Sequence, residues 1–303
     1  MATVMLTGPS GFLGSHLLDR LLQVDGMAIH AVSRTGTGRA HDRLTWHRGD
    51  LLDPSMAGRL MAEARPTHLL HNAWFAVPGR FWSDPANLTW LQASIALMAA
   101  FAESGGRQFV GVGTCAEYDW SGSKPYAEDT TPIRPATLYG KCKAACWAAA
   151  QAFEAAGTFR AAWGRVFLPY GEGDTQGRLL PSLVAELQAG RPMLLGDGSL
   201  ERDFIYAPDA ADLLVRMLIS EASGAFNVAS GEATALAVAI EHIAGRLGRN
   251  DLLRFGARPT PVSEPAKLVA DPAKVRGTLQ WRPHMPLLRG LDTVLQSSLQ
   301  GEQ

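Results

Sequence analysis

The sequence predicts an α/β protein built on a doubly wound parallel sheet, with a smaller region in the C-terminal part of the chain. In residues 1–168, short apolar runs alternate with longer amphipathic runs, a pattern typical of parallel sheets covered by helices. A glycine-rich turn joins the first apolar run to the first amphipathic run. From Pro169 onward, glycines and prolines cluster and the alternation fades. The chain therefore divides into a large sheet domain and a second region of different organisation.

Hydrophobic periodicity assigns the elements of the first domain in order. Strands are predicted at residues 4–7, 27–33, 44–47, 67–71, 107–113 and 160–167. Helices are predicted at residues 12–23, 54–64, from about 85 or 87 to 104, and 136–156. The last of these is dense in alanine, the residue with the highest helix propensity.

The second region, residues 169–303, has shorter elements that do not follow the same alternation. Within residues 203–229, a strand, a helix and a second strand are predicted to return to the first domain. The rest is expected to lie over the carboxyl ends of the sheet, where open α/β sheets bind their ligands.

Composition excludes several classes of function. The formal net charge of −1 gives no excess of positive charge for nucleic acid or an anionic membrane. No apolar run reaches the ~18 residues of a membrane span, and no signal peptide is recognised. The cysteines, Cys115, Cys142 and Cys146, are odd in number and lack metal-ligand spacing. Reduced thiols, no metal site and a cytoplasmic location are therefore expected.

The first turn has the spacing of a cradle for a nucleotide diphosphate. Gly8, Gly11 and Gly14 lie between the first strand and the first helix, which is the context that separates such a turn from chance glycines. Glycines let the backbone approach a pyrophosphate, and the helix N-terminus offers N–H groups and the positive end of its dipole. The predicted contacts of the turn with the diphosphate are Gly8, Ser10, Gly11, Phe12, Leu13 and Gly14.

Tyr139 and Lys143 form the candidate catalytic pair. They are four residues apart near the start of helix 136–156, so their side chains project from one face. A tyrosine hydroxyl ionises near pH 10, and a lysine one turn away, with a positively charged nicotinamide, would lower that pKa into the range of a general acid or base. Thr114 ends the fifth strand and can direct its hydroxyl at the same carbonyl. These residues predict proton exchange coupled to hydride transfer at a sugar or alcohol carbon.

In this order, the motifs resemble those of the extended short-chain dehydrogenases/reductases, and more narrowly their nucleotide-sugar epimerase/dehydratase/4-ketoreductase branch. The resemblance covers essentially the whole chain and implies a Rossmann sheet. It rests on TGPSGFLG at 7–14, GDL at 49–51, Thr114, YGKCK at 139–143, RVFLPYGEG at 165–173, RDFI at 202–205, FNVASG at 226–231 and DPAKVRGTLQWRP at 271–283.

The resemblance implies a role for each matched residue. Tyr139 is the acid/base, Lys143 holds the nicotinamide ribose, and Thr114 meets the substrate carbonyl. Arg202 would clamp the substrate diphosphate, for which a guanidinium is well shaped. Residues 1–168 are then the NAD(P)-binding domain and residues 169–303 mainly the substrate-binding region. The other implied cofactor contacts are Asp50 and Leu51 at the adenine, and Ala73 and Trp74 after the fourth strand.

The end of the second strand indicates which cofactor is used. An acidic residue there, roughly 20 residues past the glycines, accepts a hydrogen bond from the 2′-hydroxyl of NAD. This chain has Ser33 and Arg34 instead, and a hydroxyl and a guanidinium suit a 2′-phosphate. NADP(H) is therefore favoured, with Arg39 or Arg43 as candidate helpers, while NAD(H) stays open.

Departures from the family pattern restrict the reaction. The resembling 4,6-dehydratases carry an acidic residue shortly after the threonine. In this chain Cys115 and Ala116 occupy the corresponding positions, and the acidic residue Glu117 follows one position later. GDP-fucose-synthase-like enzymes place an epimerising cysteine two residues after the hydroxyl residue, and Cys115 is one after. Dehydration and epimerisation next to the carbonyl are therefore disfavoured.

Two reactions and one non-catalytic role remain. Reduction of a 4-keto nucleotide sugar, with hydride from NADPH and a proton from Tyr139, is favoured because Ser33 and Arg34 suit an exchangeable NADP(H). An NAD-dependent nucleotide-sugar 4-epimerase is the alternative. A dinucleotide-sensing protein on the same fold is less favoured, because such proteins tend to lose the Tyr/Lys pair.

Two further expectations concern surfaces. The resemblance implies a homodimer that pairs helices 87–104 and 136–156 with their copies. The aromatic run at 74–82 is expected to serve mainly in packing, with a wall for the sugar or the exclusion of water from the nicotinamide as the other interpretations.

Overall fold

The computed structural model of the protein describes residues 2–122, 125–259 and 264–300. In these ranges the strands are β1 Ala2–Thr7, β2 Met27–Ser33, β3 Leu44–Arg48, β4 His68–His71, β5 Gln108–Thr114, β6 Arg160–Val166, β7 Leu168–Tyr170, β8 Met193–Leu194, β9 Glu201–Arg202, β10 Phe204–Tyr206, β11 Gly224–Val228, β12 Thr234–Ala235, β13 Leu253–Arg254 and β14 Lys267–Leu268. The α-helices are α1 Phe12–Leu22, α2 Met56–Ala64, α3 Ala86–Glu103, α4 Leu138–Ala155, α5 Leu179–Gln188, α6 Ala207–Ile219, α7 Leu236–Leu247, α8 Ala273–Thr278 and α9 Leu287–Gln300. Short 3₁₀ helices cover Cys115–Glu117 and Asn250–Leu252.

The main sheet confirms the predicted doubly wound α/β fold. Its seven strands lie in the order β3-β2-β1-β4-β5-β6-β11, and every pair in it is parallel. The chain moves outward to one side from β1 through β2 and β3, and to the other side from β4 onward. This reversal between β1 and β4 is the topological switch point, where such sheets have their binding crevice.

Helices cover both faces of the sheet because each has an apolar stripe at helical spacing. On one face α1 packs beside α6, and Leu17, Leu21 and Leu214 are among the core residues there. On the other face α2, α3 and α4 enclose a second core that includes Phe101 and Trp147. At about 25 cal/mol per Å² of apolar surface, these two layers are the main favourable contribution to stability.

The strands β10 and β11 lie in different places. β11 joins the main sheet next to β6, and α6, which precedes it in the chain, packs on the main core. β10 instead pairs with β7 in a separate two-stranded sheet. A third core joins α5, α7, α9 and β10, with Leu183, Ile240 and Leu291 among its buried residues. The C-terminal region therefore has its own core beside the sheet.

The described ranges also bear on membrane crossing and on metal binding. No helix within them has both the length and the apolar composition to cross a bilayer. No group of three or more His, Cys, Asp or Glu side chains there has an arrangement that could hold a metal ion. The three cysteines are unpaired and buried.

Candidate active site

The candidate active site lies in the crevice at the carboxyl ends of β1, β4 and β5. β1 ends at Thr7 and leads into the glycine turn, β4 ends at His71, and β5 ends at Thr114. Tyr139 and Lys143, in the first turns of α4, reach the same edge of the sheet. The structure therefore brings together the three residues that were predicted to be catalytic.

The glycines of the first turn have different structural tasks. A Cβ on Gly14 would lie 1.8 Å from the Gly8 oxygen, and a Cβ on Gly8, whose φ is +68°, would lie 2.9 Å from the backbone of Ala73. The conformation and close packing of the turn therefore require glycine at these two positions. A Cβ on Gly11 would make only an ordinary 3.6 Å contact with the Gly8 oxygen. Gly11 is therefore free of internal crowding and leaves room at the N-terminus of α1, where it supplies no side-chain cap.

Buried hydrogen bonds join β1 to β4 beneath this turn. Thr7 Oγ1 accepts the backbone N–H groups of Asn72 at 3.1 Å and Ala73 at 3.2 Å, and it lies 2.8 Å from His71 Nδ1. Asn72 Nδ2 donates to the Gly8 oxygen at 3.0 Å. Burial lowers the pKa of His71 to about 3, so its ring is neutral at pH 7. The floor of the crevice is thus fixed by polar contacts.

Gly140 allows α4 to approach the turn that follows Thr114. A Cβ on Gly140 would lie 2.3 Å from the Ala116 oxygen, so a larger residue would push the helix away. Thr137 caps the helix by accepting the N–H of Gly140 at 3.1 Å. These two residues place the first turn of α4, and hence Tyr139, beside Thr114.

The side chain of Tyr139 lies beside that of Thr114. Burial raises the pKa of Tyr139 above its ordinary value, while the neighbouring Thr114 hydroxyl and the positive charge of Arg178 act to lower it. Arg178 is thus a cation that lowers the pKa of Tyr139, and a contribution of Lys143 together with the nicotinamide stays a prediction. Arg178 precedes α5 and pairs with Asp174 at 3.0 Å.

Lys143 is buried and faces the floor of the crevice. Its Nζ donates to the Val112 oxygen at 2.7 Å and lies 3.9 Å from the centre of the Trp74 ring. Burial lowers the pKa of Lys143 to about 8. Trp74 in turn donates through Nε1 to Asn87 Oδ1 at 2.8 Å. The lysine and the tryptophan that were predicted to contact the cofactor thus lie against each other.

Cys115 and Glu117 are both buried, and neither has the properties of a catalytic group. Burial raises the pKa of Cys115 to about 12, so it is a neutral thiol. Glu117 is completely buried and accepts hydrogen bonds from Thr114 N, Trp163 Nε1 and Arg165 Nε at 2.8–2.9 Å. Its carboxylate is therefore occupied by structural partners.

At the end of β2, Ser33 and Arg34 differ in their surroundings. Ser33 is buried, and its Oγ accepts the N–H of Gly36 at 3.0 Å. Arg34 is exposed, and no carboxylate in the part of the chain that the structure describes forms an ion pair with it. The two candidate helpers are engaged elsewhere, because Arg39 pairs with Asp19 and Arg43 donates to carbonyl oxygens at the end of α1.

The remaining predicted contacts lie around the same crevice or beside it. Asp50 is exposed after β3, and its Oδ1 accepts the N–H of Leu52 at 3.0 Å. Leu51 packs at the edge of the core under α2. Arg202 is 4% exposed and donates to Glu264 Oε2 at 2.6 Å and to the Pro265 oxygen at 2.9 Å. Its role as a clamp for the substrate diphosphate stays a prediction.

One feature of the site was missed from the sequence, and a second was predicted only in part. One is Arg178, which no motif singles out. The other is an aromatic cluster on Tyr139, because Phe81 and Trp82 contact the Tyr139 ring and Trp120 contacts Trp82. The only sequence signal for this cluster was the density of aromatic residues at 74–82.

Sequence comparison with known proteins indicates the family of this chain. Residues 4–229 match the model of the NAD dependent epimerase/dehydratase family. Over 304 aligned positions the chain is 27% identical to the UDP-glucose 4-epimerase of Mycolicibacterium smegmatis, with 95% of each chain covered.

Two solved structures share the fold at low sequence identity. The UDP-glucose 4-epimerase of Thermotoga maritima, determined with UDP-glucose, superposes with a TM-score of 0.88 at 21% identity, over 99% of this chain and 100% of the other. The dTDP-glucose 4,6-dehydratase of Bacillus anthracis, determined with NAD, gives a TM-score of 0.87 at 18% identity, over 100% and 98%. The resemblance inferred from the motifs is confirmed. The chain belongs to the NAD-dependent epimerase/dehydratase family and is an enzyme of the extended short-chain dehydrogenase/reductase type.

Proposed function

We propose that the protein reduces the C4 carbonyl of a nucleotide-linked 4-keto sugar, with NADPH as the hydride donor. The observation that carries this proposal is the position of the Tyr139 side chain beside that of Thr114 in the crevice. Two hydroxyls held together in this way can both reach one carbonyl oxygen. Such a pair is suited to proton transfer at oxygen while a hydride moves at carbon.

The residues of the crevice fit a nicotinamide dinucleotide. Gly11 leaves room beside N–H groups of α1 for a pyrophosphate, and a side chain there would fill that room. Lys143 would hold the nicotinamide ribose, and Asp50, Leu51, Ala73 and Trp74 would line the rest of the cofactor. Arg34, exposed at the end of β2, would bind the 2′-phosphate. When bound, a reduced nicotinamide supplies the hydride to the carbonyl carbon.

Tyr139 performs the proton step. Its hydroxyl gives a proton to the C4 oxygen as the carbon is reduced, which leaves a sugar hydroxyl and a tyrosine phenolate. The phenolate regains a proton from solvent before the next turnover. Because burial raises the pKa of Tyr139, the phenolate requires nearby positive charge, which Arg178 supplies and to which Lys143 would add. Thr114 holds the carbonyl oxygen in place.

The surroundings of Glu117 argue against dehydration. Elimination of water needs an acid or base that can exchange a proton with the substrate. Glu117 is fully buried against Arg165, and the Cys115 thiol, with a pKa of about 12, stays neutral. Neither group supports loss of water from the sugar.

A nucleotide sugar is the substrate class that the relatives favour. The structurally similar epimerase of Thermotoga maritima was determined with UDP-glucose, and Arg202 lies in the RDFI segment predicted to meet the substrate diphosphate. The alternative function is an NAD-dependent 4-epimerase. The relative from Mycolicibacterium smegmatis, a UDP-glucose 4-epimerase, favours that alternative.

Identification of the cofactor separates the two reactions. We expect purified protein, once denatured, to release little dinucleotide, and the native protein to bind NADPH at least tenfold more tightly than NADH. Release of one NAD per chain would instead favour the epimerase. In the same assay Tyr139→Phe is expected to lower turnover of a nucleotide sugar by at least a hundredfold while NADPH affinity stays unchanged. Undiminished turnover in this variant would overturn the assignment of Tyr139.

A further inference from the structure

The ammonium of Lys143 is buried without a carboxylate partner. Lys143 is 3% exposed, and its Nζ donates to the Val112 oxygen at 2.7 Å. In the part of the chain that the structure describes, Lys267 and Lys274 form ion pairs with carboxylates, whereas Lys143 forms none. Burial disfavours the charged form of a lysine, and buried charges are normally compensated by an opposite charge. Another group must therefore stabilise this ammonium if it is to stay charged.

The titratable groups around Lys143 do not supply that stabilisation. His71, at the end of β4, has a pKa of about 3 because it is buried, so its ring is neutral at pH 7. On α4, burial raises the pKa of Tyr139 and raises the pKa of Cys146 to about 11, so both are neutral as well. Glu117, in the 3₁₀ turn after β5, is already engaged in its own buried ion pair.

The indole ring of Trp74 lies directly over the ammonium. The Lys143 Nζ is 3.9 Å from the centre of this ring, well within the ~6 Å over which a cation and a ring face attract each other. The ring of Trp163 in β6 is 5.9 Å from the same Nζ, at the outer limit of that range. Tryptophan gives the strongest attraction of this kind, and the attraction is larger for a cation that has lost its water. Trp74 is therefore the main aromatic partner of Lys143.

Asn87 holds the Trp74 ring in this orientation. The indole Nε1 donates to Asn87 Oδ1 at 2.8 Å. Asn87 is 0% exposed, and its Nδ2 donates to the carbonyl oxygens of Phe81 and Asp84, each at 2.8 Å. Because both amide N–H groups are used in this way, the amide oxygen is the atom that faces the indole. The positive N–H edge of the indole is thus bound to Asn87, while the negative face lies on the lysine.

We propose that Trp74 is a positioning residue that keeps the buried Lys143 ammonium charged, with its ring face in the place of the missing carboxylate. An aromatic face attracts the cation without accepting strong hydrogen bonds from it. The N–H groups of Lys143 that do not bind the Val112 oxygen are therefore left for a ligand such as the ribose hydroxyls. This link to the cofactor rests on the proposed function, whereas the effect of Trp74 on the charge of Lys143 does not.

NMR on the ligand-free protein measures the charge of Lys143 directly. The chain has five lysines, so ¹³C labelling at the lysine Cε gives few signals, and Lys143→Arg identifies the one that belongs to Lys143. Its titration midpoint is expected near pH 8. Trp74→Leu keeps an apolar cover without the aromatic face and is expected to lower the midpoint by about one pH unit. Trp74→Phe, a weaker aromatic partner, is expected to give a value in between. Trp90→Leu is the control, because the Trp90 ring lies 6.5 Å from the Trp74 ring, and it is expected to leave the midpoint unchanged.

Binding of NADPH tests the link to the cofactor. The dissociation constant is measured by calorimetry across the same pH range in the unaltered protein and in Trp74→Leu. The pH midpoint of binding is the readout rather than the affinity itself, because Trp74 was also predicted to contact the cofactor. We expect this midpoint to move to lower pH in Trp74→Leu by the same amount as the NMR midpoint.

The two readouts separate this inference from the proposed function. An NMR midpoint that is equal or higher in Trp74→Leu would overturn the role of Trp74, and equal decreases in the Leu and Phe variants would assign the effect to packing instead. If Trp74→Leu does not fold, Trp74→Phe decides: a lower midpoint supports the inference and an equal or higher one overturns it. A lower NMR midpoint with an unchanged binding midpoint, or without any binding of NADPH, would support the role of Trp74 and overturn the proposed contact of Lys143 with the ribose.

Discussion

The carboxylate of Glu117 holds three elements together directly behind Thr114. It accepts the N–H of Thr114 at the end of β5 and the indole N–H of Trp163 in β6, and it forms an ion pair with Arg165 at 2.8 Å. Arg165 also donates to the Tyr118 hydroxyl at 3.2 Å. Since both charged side chains are almost completely buried, each depends on the other for compensation.

We predict that Glu117→Gln destabilises the protein by about 3 kcal/mol or more, because it leaves the Arg165 guanidinium as an uncompensated buried charge. Urea unfolding monitored by circular dichroism measures the change. Glu186→Gln is the matched control, because Glu186 pairs with Arg191 at 2.6 Å at the surface. Such exposed pairs contribute little, so this control is expected to unfold almost as the unaltered protein does. Equal stabilities of the two variants would contradict a structural role for Glu117.

The buried ammonium of Lys143 predicts a pH dependence of cofactor binding. Burial lowers the pKa of Lys143 from 10.5 to about 8, so the charged form is complete below that pH and is lost as the pH rises through it. The charged form donates the stronger hydrogen bonds to ribose hydroxyls. The dissociation constant for the dinucleotide is therefore expected to rise as the pH passes about 8. Fluorescence titrations one pH unit on either side of that value measure it.

Lys143→Met is the control for this pH dependence. It removes the titrating group, and we expect weaker binding that no longer changes across the same interval. A variant that keeps the pH dependence would assign it to another group. An unaltered protein whose affinity is flat across the interval would show that the charge of Lys143 does not contribute to binding.

At the scale of elements, folding and ligand binding depend on different glycines of the first turn. Gly14→Ala would bring a Cβ to 1.8 Å from the Gly8 oxygen, and we expect a loss of about 1–3 kcal/mol in stability. Gly11→Ala makes only a 3.6 Å contact and is expected to keep stability within about 1 kcal/mol. The same change fills the room for the pyrophosphate, so its dinucleotide affinity is expected to fall at least tenfold. Thermal unfolding and calorimetric titration measure the two effects, and Gly11→Ala with unaltered affinity would place the phosphates elsewhere.

The sequence was informative for elements whose signal is local. The strands of the main sheet and helices such as α4 have a hydrophobic period over many residues, so they were predicted to within a few positions. Strands of two residues, such as β8 and β13, have no period, and their pairing depends on segments far apart in the chain. They were therefore not predicted.

The same difference applies to the candidate site. Thr114, Tyr139 and Lys143 were found because their spacing and their place after a strand or in a helix are local facts. The position of Trp120 against Trp82 depends on how two loops fold. The ion pair of Glu117 with Arg165 joins residues 48 positions apart, and charge and spacing alone do not reveal such pairs.

At the scale of the whole molecule, α3 and α4 lie side by side on one face of the sheet and turn a weakly polar surface outward. On α3, Leu88 is 55% exposed and Ile95 is 38% exposed. The outer positions of α4 include the small exposed residues Ala145 and Ala148. Small residues let helices approach closely, and exposed apolar side chains of this size favour burial against a partner. The surface is suited to a second copy of the same pair of helices, as the family resemblance implied.

We predict that the protein is a dimer in solution and that Ile95→Glu makes it a monomer, because the change places a charge in a surface that would otherwise be buried between two copies. Light scattering coupled to size exclusion is expected to give twice the 32.5 kDa of one chain for the unaltered protein. For the variant it is expected to give the mass of one chain. Val238→Glu is the control, since Val238 is 46% exposed on α7, in the C-terminal region. It is expected to leave the dimer intact. A monomeric mass for the unaltered protein at working concentration would contradict the predicted dimer. Loss of the dimer in Val238→Glu alone would indicate that the interface involves α7 instead.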